Sequence, residues 1–268
     1  MLKEIDSDNI YSRHARDERE DGRDYVMHIH DRCEIYYFVD GTASYLVEGS
    51  EYPLKPGSLL IMGPGEVHRA RIDKTGPYER YAINFPIDLF DDIDPERIIT
   101  RPMTERGLGK DNLYFRPEYR RLFEKVCDEK VGSDDRYVYI YSCIMSLLLD
   151  IGEEFGNRRK PRRGKNKTLS GSIIEYVNDN LSEELSVGSV AEHFYISESQ
   201  LTRIFREYIG AAPWEYITAK RLMYAKSLIA DGHNAGEAAL MSGFGDYSSF
   251  YRAYVKRFGT SPARSRDD

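Results

Sequence analysis

The sequence predicts an α+β chain of more than one domain: an antiparallel β-barrel, then helices, then an all-α region. Three observations carry this. Between about residues 22 and 90, short runs rich in β-branched and aromatic residues (YVMHIH, EIYYFV, ASYLVEG, SLLIMG, YERYAINF) alternate with turns at Asp40-Gly41, Gly49-Ser50 and Pro56-Gly57, the signature of closely spaced strands. From Pro117 the period changes, and Leu122, Val126, Tyr137, Ile140, Tyr141, Ile144, Leu147, Leu148 and Ile151 recur at three- and four-residue intervals, which reads as two amphipathic helices. Beyond residue 169 every stretch is helical, with start and stop signals at regular intervals. The 268 residues, 41% hydrophobic and 31% charged, are enough for two globular cores.

These shifts divide the chain into a barrel with an N-terminal arm (1–116), a helical, dimerising segment (117–157), a linker (158–168) and a second domain (169–268). The charge of residues 1–21 favours a mobile arm. The linker carries seven Lys/Arg and no acid, while acids outnumber bases on both sides of it and the net charge is −7. Such a run is a solvated connector that also attracts phosphates. No run reaches the roughly 18 apolar residues of a membrane helix, and the N-terminus lacks a signal-peptide core. Three cysteines without CxxC spacing read as reduced thiols, so the expected compartment is the cytoplasm, with no membrane partner.

In the last hundred residues, helices are expected at about 170–180, 187–194, 198–209, 213–230, 235–242 and 247–258, with a short one from Pro262. Ser197 with Gln200 matches a capping box, Asp246 can cap a helix from Tyr247, and Pro213 suits a first helical position. Gly210, Gly232 and Gly259 stand where helices should stop. Val187–Phe194, the turn Tyr195–Ser197 and Glu198–Ile209 then form a helix-turn-helix: Leu201, Ile204, Phe205 and Tyr208 make a buried stripe, and Ser199, Thr202, Arg203 and Arg206 face out. The pattern recurs around Ser242–Asp246. There the helix from Tyr247 buries Phe250 and Tyr254 and exposes Ser248, Ser249, Tyr251, Arg252 and Lys256. The intervening helix, at ~1.5 Å per residue, holds the two reading helices about one DNA turn apart.

On these residues the stretch Leu185–Arg266 resembles the AraC/XylS DNA-binding domain. Ala191, Ser197, Leu201, Arg203, Phe205, Gly210 and Pro213 match in the first half; Arg221, Ala225, Leu228, Ala239, Gly243, Phe244, Phe250, Arg252, Lys256, Gly259, Pro262 and Arg266 match in the second. The resemblance implies that Ser199, Thr202 and Arg203, and then Tyr247, Ser248, Ser249, Tyr251 and Arg252, read bases, with both arginines able to grip guanine bidentately. The sequence departs from the family at Tyr254, Val255 and Ser265, and at Ala235 and Gly236 in the fifth helix, which points the second unit toward phosphate contacts.

In the barrel, Gly22-x5-His28-x-His30-x3-Glu34-x6-Gly41 has the spacing of the first cupin motif. Gly57-x6-Pro64-Gly65-x2-His68 resembles the second, with one extra residue and Ile72 in place of its final asparagine. The implied fold is a cupin-like jelly roll. His28 and His30 share a strand face, and Glu34 and His68 can join them, so the cluster suits a divalent metal. In AraC-type regulators a similar pattern opens an effector-binding barrel. Effector contact, metal and plain hydrogen-bonded structure therefore all stay open for these residues, with effector contact favoured. Tyr36, Phe38, Tyr81, Ile83 and Phe85 are assigned one inward face, which makes Tyr36 and Tyr81 effector contacts alongside His28, His30, Glu34 and His68; aromatic walls with a few polar groups suit a sugar.

The expected function is sequence-specific binding of double-stranded DNA under control of a small effector, with no required cofactor. The stripe Tyr137–Ile151 offers a homodimer surface, and an activator would also meet RNA polymerase. The alternatives are a metal-dependent cupin enzyme with an appended helical domain, and a dimeric regulator without a ligand.

Overall fold

The structure is a computed structural model that describes residues 2–7, 10–20, 26–72, 76–128, 133–158 and 168–264. The chain divides into two compact units, Met1–Asn166 and Lys167–Asp268. The basic linker at 159–167, Gly22 of the first cupin motif and Arg266 fall outside the described residues.

The first unit carries β1 (Leu2–Ser7), β2 (Ile10–Glu20), β3 (Cys33–Asp40), β4 (Ala43–Val47), β5 (Ser50–Pro53), β6 (Ser58–Met62), β7 (His68–Ile72), β8 (Gly76–Phe85) and β9 (Leu113–Phe115). Its helices are α1 (Arg101–Thr104), α2 (Arg120–Val126) and α3 (Ser133–Arg158). All pairings are antiparallel, in a large sheet ordered β1-β2-β8-β3-β6-β9 and a small one ordered β5-β4-β7.

The large sheet is apolar on both faces because each has a cover. Ile35, Tyr37, Val39, Leu59, Ile61, Tyr81, Ile83 and Phe85 pack with Phe123 and Val126 of α2 and with Ile140, Ile144, Leu147, Leu148 and Ile151 of α3. On the opposite face Tyr36, Phe38, Leu60 and Met62 meet Ala43, Tyr45, Val47 and Ala70 of the small sheet. Each such side chain taken from water contributes on the order of 1.5–3 kcal/mol. Ile140, Ile144, Leu147, Leu148 and Ile151 of the α3 stripe thereby pack on their own barrel and are not a free dimer surface; Tyr137, Val138, Tyr139 and Leu149 are the large hydrophobics that α3 leaves exposed.

Two further expectations are corrected. The N-terminal arm is not a mobile tail over residues 10–20: β2 is an ordered strand against β8, from Tyr11↔Asn84 to Asp17↔Tyr78, with Arg16 bound to Glu79 and Arg80 to Asp17. Cross-strand ion pairs absorb the charges that had suggested disorder. Within YVMHIH, residues 26–30 form no regular strand; His28 makes one bridge, exchanging backbone hydrogen bonds with His68 at 2.9 and 3.0 Å.

The second unit comprises α4 (Leu169–Asp179), α5 (Val187–His193), α6 (Glu198–Tyr208), α7 (Pro213–Ala230), α8 (Ala235–Met241) and α9 (Tyr247–Phe258). Ser186, Ser197, Asn234 and Asp246 each accept a first-turn N–H, as orphan helix donors require. α7 is the shared spine. Tyr216 near its start meets Phe205 of α6, with ring centroids 5.5 Å apart, while Leu222, Ala225, Leu228 and Ile229 pack against Ala238, Ala239, Phe250 and Tyr254. Arg221, almost fully buried, donates to the carbonyls of Leu181 (2.8 Å) and Glu183 (2.7 Å), fixing the α4–α5 loop to the spine. The short helix expected from Pro262 is a turn within the described residues.

Candidate functional site

A cavity of about 230 Å³ lies in the first unit against the large-sheet face that carries Tyr36. At its polar end Glu34, on β3, accepts hydrogen bonds from His30 Nε2 (3.1 Å) and Asn84 Nδ2 (2.9 Å), with His68 Nε2 at 3.4 Å. The Nδ1 atoms of both rings are occupied elsewhere: His30 Nδ1–H donates to the Arg32 carbonyl (3.0 Å) and His68 Nδ1–H to that of Glu66 (2.9 Å). A carbonyl only accepts, so each Nδ1 must hold a proton and each Nε2 is turned to the carboxylate.

The loop that brings in His68 is itself anchored. Glu66 is buried, ion-paired to Arg106, and accepts the Gly63 and Gly109 N–H groups at 2.7 and 2.9 Å. Electrostatics follow from this packing. Burial alone would raise the Glu34 carboxyl, but the His68 and His30 rings outweigh it and hold it well below the usual carboxylate range. Burial pulls His68 down, and facing Glu34 more than restores it. His28 is exposed as a residue, but local desolvation and the neighbouring His68 ring lower it from its ordinary value.

Of the expected pocket residues, His28, His30, Glu34, Tyr36 and His68 line this cavity and Tyr81 does not. Tyr36 pairs with Ala82 across β3 and β8, so the even-numbered residues Arg80, Ala82 and Asn84 share its face. Tyr81 points the other way, stacked 4.2 Å from His14 and packed toward Phe123. The parity linking Tyr36 with Tyr81 was off by one residue. Tyr11, Arg13, Tyr45, Tyr78, Arg80 and Asn84 were missed. For all but Tyr45, which lies on β4, the signal was alternation on β2 and β8 read in the correct register.

His30, Glu34 and His68 present ligand atoms all within 4.8 Å of one another, while His28 lies outside this group. The expected set of four is therefore a set of three. The three fit a divalent transition metal in two respects: imidazole and carboxylate are its donors, and both histidines carry the backbone-carbonyl partner that typically orients a ligating ring.

In the second unit α5 and α6 flank one turn and α8 and α9 another. On α6, Ser199, Arg203 and Arg206 are exposed and Thr202 half-buried, opposite the buried Leu201, Ile204 and Phe205. On α9, Tyr247, Ser248, Tyr251, Arg252 and Lys256 are exposed and Ser249 is half-buried. Asp246 accepts the Ser249 N–H at 2.8 Å, and Arg252 Nη2 reaches Ser249 Oγ at 3.3 Å. Bonds to the Ser249 backbone and hydroxyl hold the Asp246 carboxyl below its ordinary value. Each unit thus offers donors on one uncovered helix face, the arrangement that can enter a major groove.

Comparison with known proteins agrees with this geometry. Residues 12–137 match the AraC-like ligand binding domain, and residues 190–268 match a helix-turn-helix domain. The chain belongs to the AraC family of regulators. This AraC-type chain is 24% identical to the melibiose operon regulatory protein of Escherichia coli K12, over 96% of its own length and 90% of that protein. It is 24% identical to XylDLEGF operon transcriptional activator 3 of Pseudomonas putida, over 80% of its length and 66% of that protein. It is also 32% identical to the probable transcriptional regulator LumQ of Photobacterium leiognathi, although that match spans only 34% of this chain and 38% of LumQ. Among solved structures it is similar to ToxT of Vibrio cholerae, with a TM-score of 0.43 and 12% identity over 97% of this chain and 99% of that one. The AraC-type chain is therefore a DNA-binding transcription regulator with a ligand-binding domain, and its domains are those of regulators rather than enzymes. Among the described residues no helix is long and apolar enough to cross a membrane.

Proposed function

We propose that this regulator binds specific double-stranded DNA through α6 and α9, and that a small polar metabolite of about monosaccharide size, held in the barrel cavity, controls that binding. The cavity carries the proposal: about 230 Å³, walled by Tyr11, Tyr36, Tyr45 and Tyr78 and polar at the Glu34 end. Aromatic walls with a few placed polar groups suit a sugar or a sugar derivative, and one full-length relative is named for a melibiose operon. Ser199, Thr202, Arg203 and Arg206 on α6 face the DNA, together with Tyr247, Ser248, Ser249, Tyr251, Arg252 and Lys256 on α9. We place the protein in the cytoplasm, acting as a homodimer on paired half-sites and, as an activator, touching RNA polymerase.

The test is a thermal-shift screen of sugars and sugar derivatives on the full-length protein, followed by DNA binding with and without each hit. The reading predicts a compound that raises Tm, loses its effect in Tyr36→Ala, and alters DNA affinity. Compounds that shift Tm equally in the variant would refute the assignment of the pocket.

A second reading is favoured by one observation, the carbonyl-locked rings of His30 and His68 turned to Glu34. In it these three residues hold a divalent metal that supplies a Lewis-acid anchor for the effector. Metal analysis of the purified protein decides: stoichiometric metal that is lost in His30→Ala supports the metal, and metal-free protein with intact effector binding removes it.

A further inference from the structure

Resting on the reading of the barrel cavity as an effector pocket, we infer that its occupant is an anion: a polyhydroxylated acid of monosaccharide size whose carboxylate or phosphate lies against Arg13. The argument is a balance of donors and acceptors. A neutral sugar presents hydroxyls that must donate as well as accept, so its site needs uncommitted acceptors. Among the described lining residues Glu34 is the carboxylate, and its oxygens already take His30 and Asn84, with His68 and Tyr45 also bound to it. The Tyr36 and Tyr78 hydroxyls are bonded to each other.

What the cavity offers beyond these is donor-rich and cationic. Arg13 on β2 and Arg80 on β8 both line it. Arg80 is tied to Asp17 and lies over the Tyr78 ring, so its guanidinium is fixed in place with its charge already partnered. Arg13 is held more loosely. Its Nε faces Glu4 Oε1 at 3.6 Å, beyond hydrogen-bond distance, and makes no hydrogen bond, while the side chain as a whole is 41% exposed. A guanidinium meets a carboxylate or phosphate with two parallel hydrogen bonds, a stronger hold than the long contact with Glu4. The residue opposite Arg13 is Ala82, whose small side chain also lines the cavity. An acid with one anionic end and several hydroxyls fits both ends: the anion at Arg13, the hydroxyls along the tyrosines and the remaining acceptor of Asn84.

The experiment is calorimetric titration of the full-length protein with matched sets of one carbon skeleton: glucose, glucuronate and glucose 6-phosphate, and the galactose series likewise. We expect an acid of at least one set to bind tenfold or more tightly than its neutral parent, and that binding to weaken as salt is raised. Arg13→Gln should bring the acid's affinity down to that of the parent, while Arg13→Lys restores part of it. Whichever of uronate and sugar phosphate binds identifies the anion, and circular dichroism checks that the variants fold. A neutral sugar that binds as tightly as its acid, or acid binding unchanged in Arg13→Gln, overturns the anion and leaves the effector pocket standing. If no member of any set binds or shifts Tm, the effector reading falls and this inference with it.

Discussion

The two helix-turn-helix units use the same turn and build it from different residues. In the first, Tyr195 N bonds to Glu192 O and Ile196 N to Ala191 O; in the second, Gly243 N bonds to Leu240 O and Phe244 N to Ala239 O. Both turns need a left-handed residue, Tyr195 at φ 56° and Gly243 at φ 85°. At Gly243 a Cβ would sit 2.3 Å from the Leu181 carbonyl and 2.9 Å from Arg221 Nε, so only glycine fits. Tyr195 is 97% exposed and meets no such wall, so a side chain is tolerated at a conformational cost of ~1–2 kcal/mol. The same backbone demand thus dictates a residue where packing closes the space and leaves it open where solvent does not.

The reading faces differ in the same sense. Arg252 on α9 rests on Ser249, which Asp246 holds in turn; on α6 the exposed Arg203 follows a turn capped by Ser197 alone. The second helix-turn-helix therefore has its arginine partly oriented by a side-chain hydrogen bond.

This comparison can be broken at several points. Gly243→Ala should cost about 3 kcal/mol or more in chemical denaturation, from left-handed strain plus the clash with Leu181; a loss under ~1 kcal/mol would mean that the turn relaxes freely. Arg221→Ala removes two charged hydrogen bonds and leaves two carbonyls unpaired, so about 2–4 kcal/mol is expected in the same measurement. On DNA, Arg203→Ala and Arg252→Ala should each lower specific affinity by about 1–3 kcal/mol in gel-shift titration, if each grips a base. Ser249→Ala should cost only about 0.5–1.5 kcal/mol through its weaker hold on Arg252; a loss equal to that of Arg252→Ala would make Ser249 a base contact itself. Smallest of all, Tyr195→Gly should raise stability by ~0.5–1 kcal/mol, the strain relieved less the added chain entropy.

The second unit was far more legible in the sequence than the first. Helices announce themselves through local chemistry: the Ser197 and Asp246 caps, Pro213 at a first turn, and stripes such as Leu201, Ile204, Phe205 set both boundaries and faces. In the barrel, β3 is buried on both sides from Cys33 to Val39, so no polar alternation marks which face holds the cavity. Register had to come from partner strands distant in sequence, and a slip of one residue carried Tyr81 across the sheet. The acidic and basic residues of β2 hid a strand because their partners, Glu79 and Arg80, lie more than sixty residues away. His28, His30, Glu34 and His68 were findable because motif spacing fixes them locally; Arg13 was not.

The central claim is that one chain reads DNA with two helices, and selection of binding sites from random duplexes by the full-length protein tests it most directly. Run beside Arg203→Ala and Arg252→Ala, the account predicts an enriched site with two blocks about 10 base pairs apart, each variant relaxing one block and sparing the other. A single block, or one that neither variant relaxes, would contradict it.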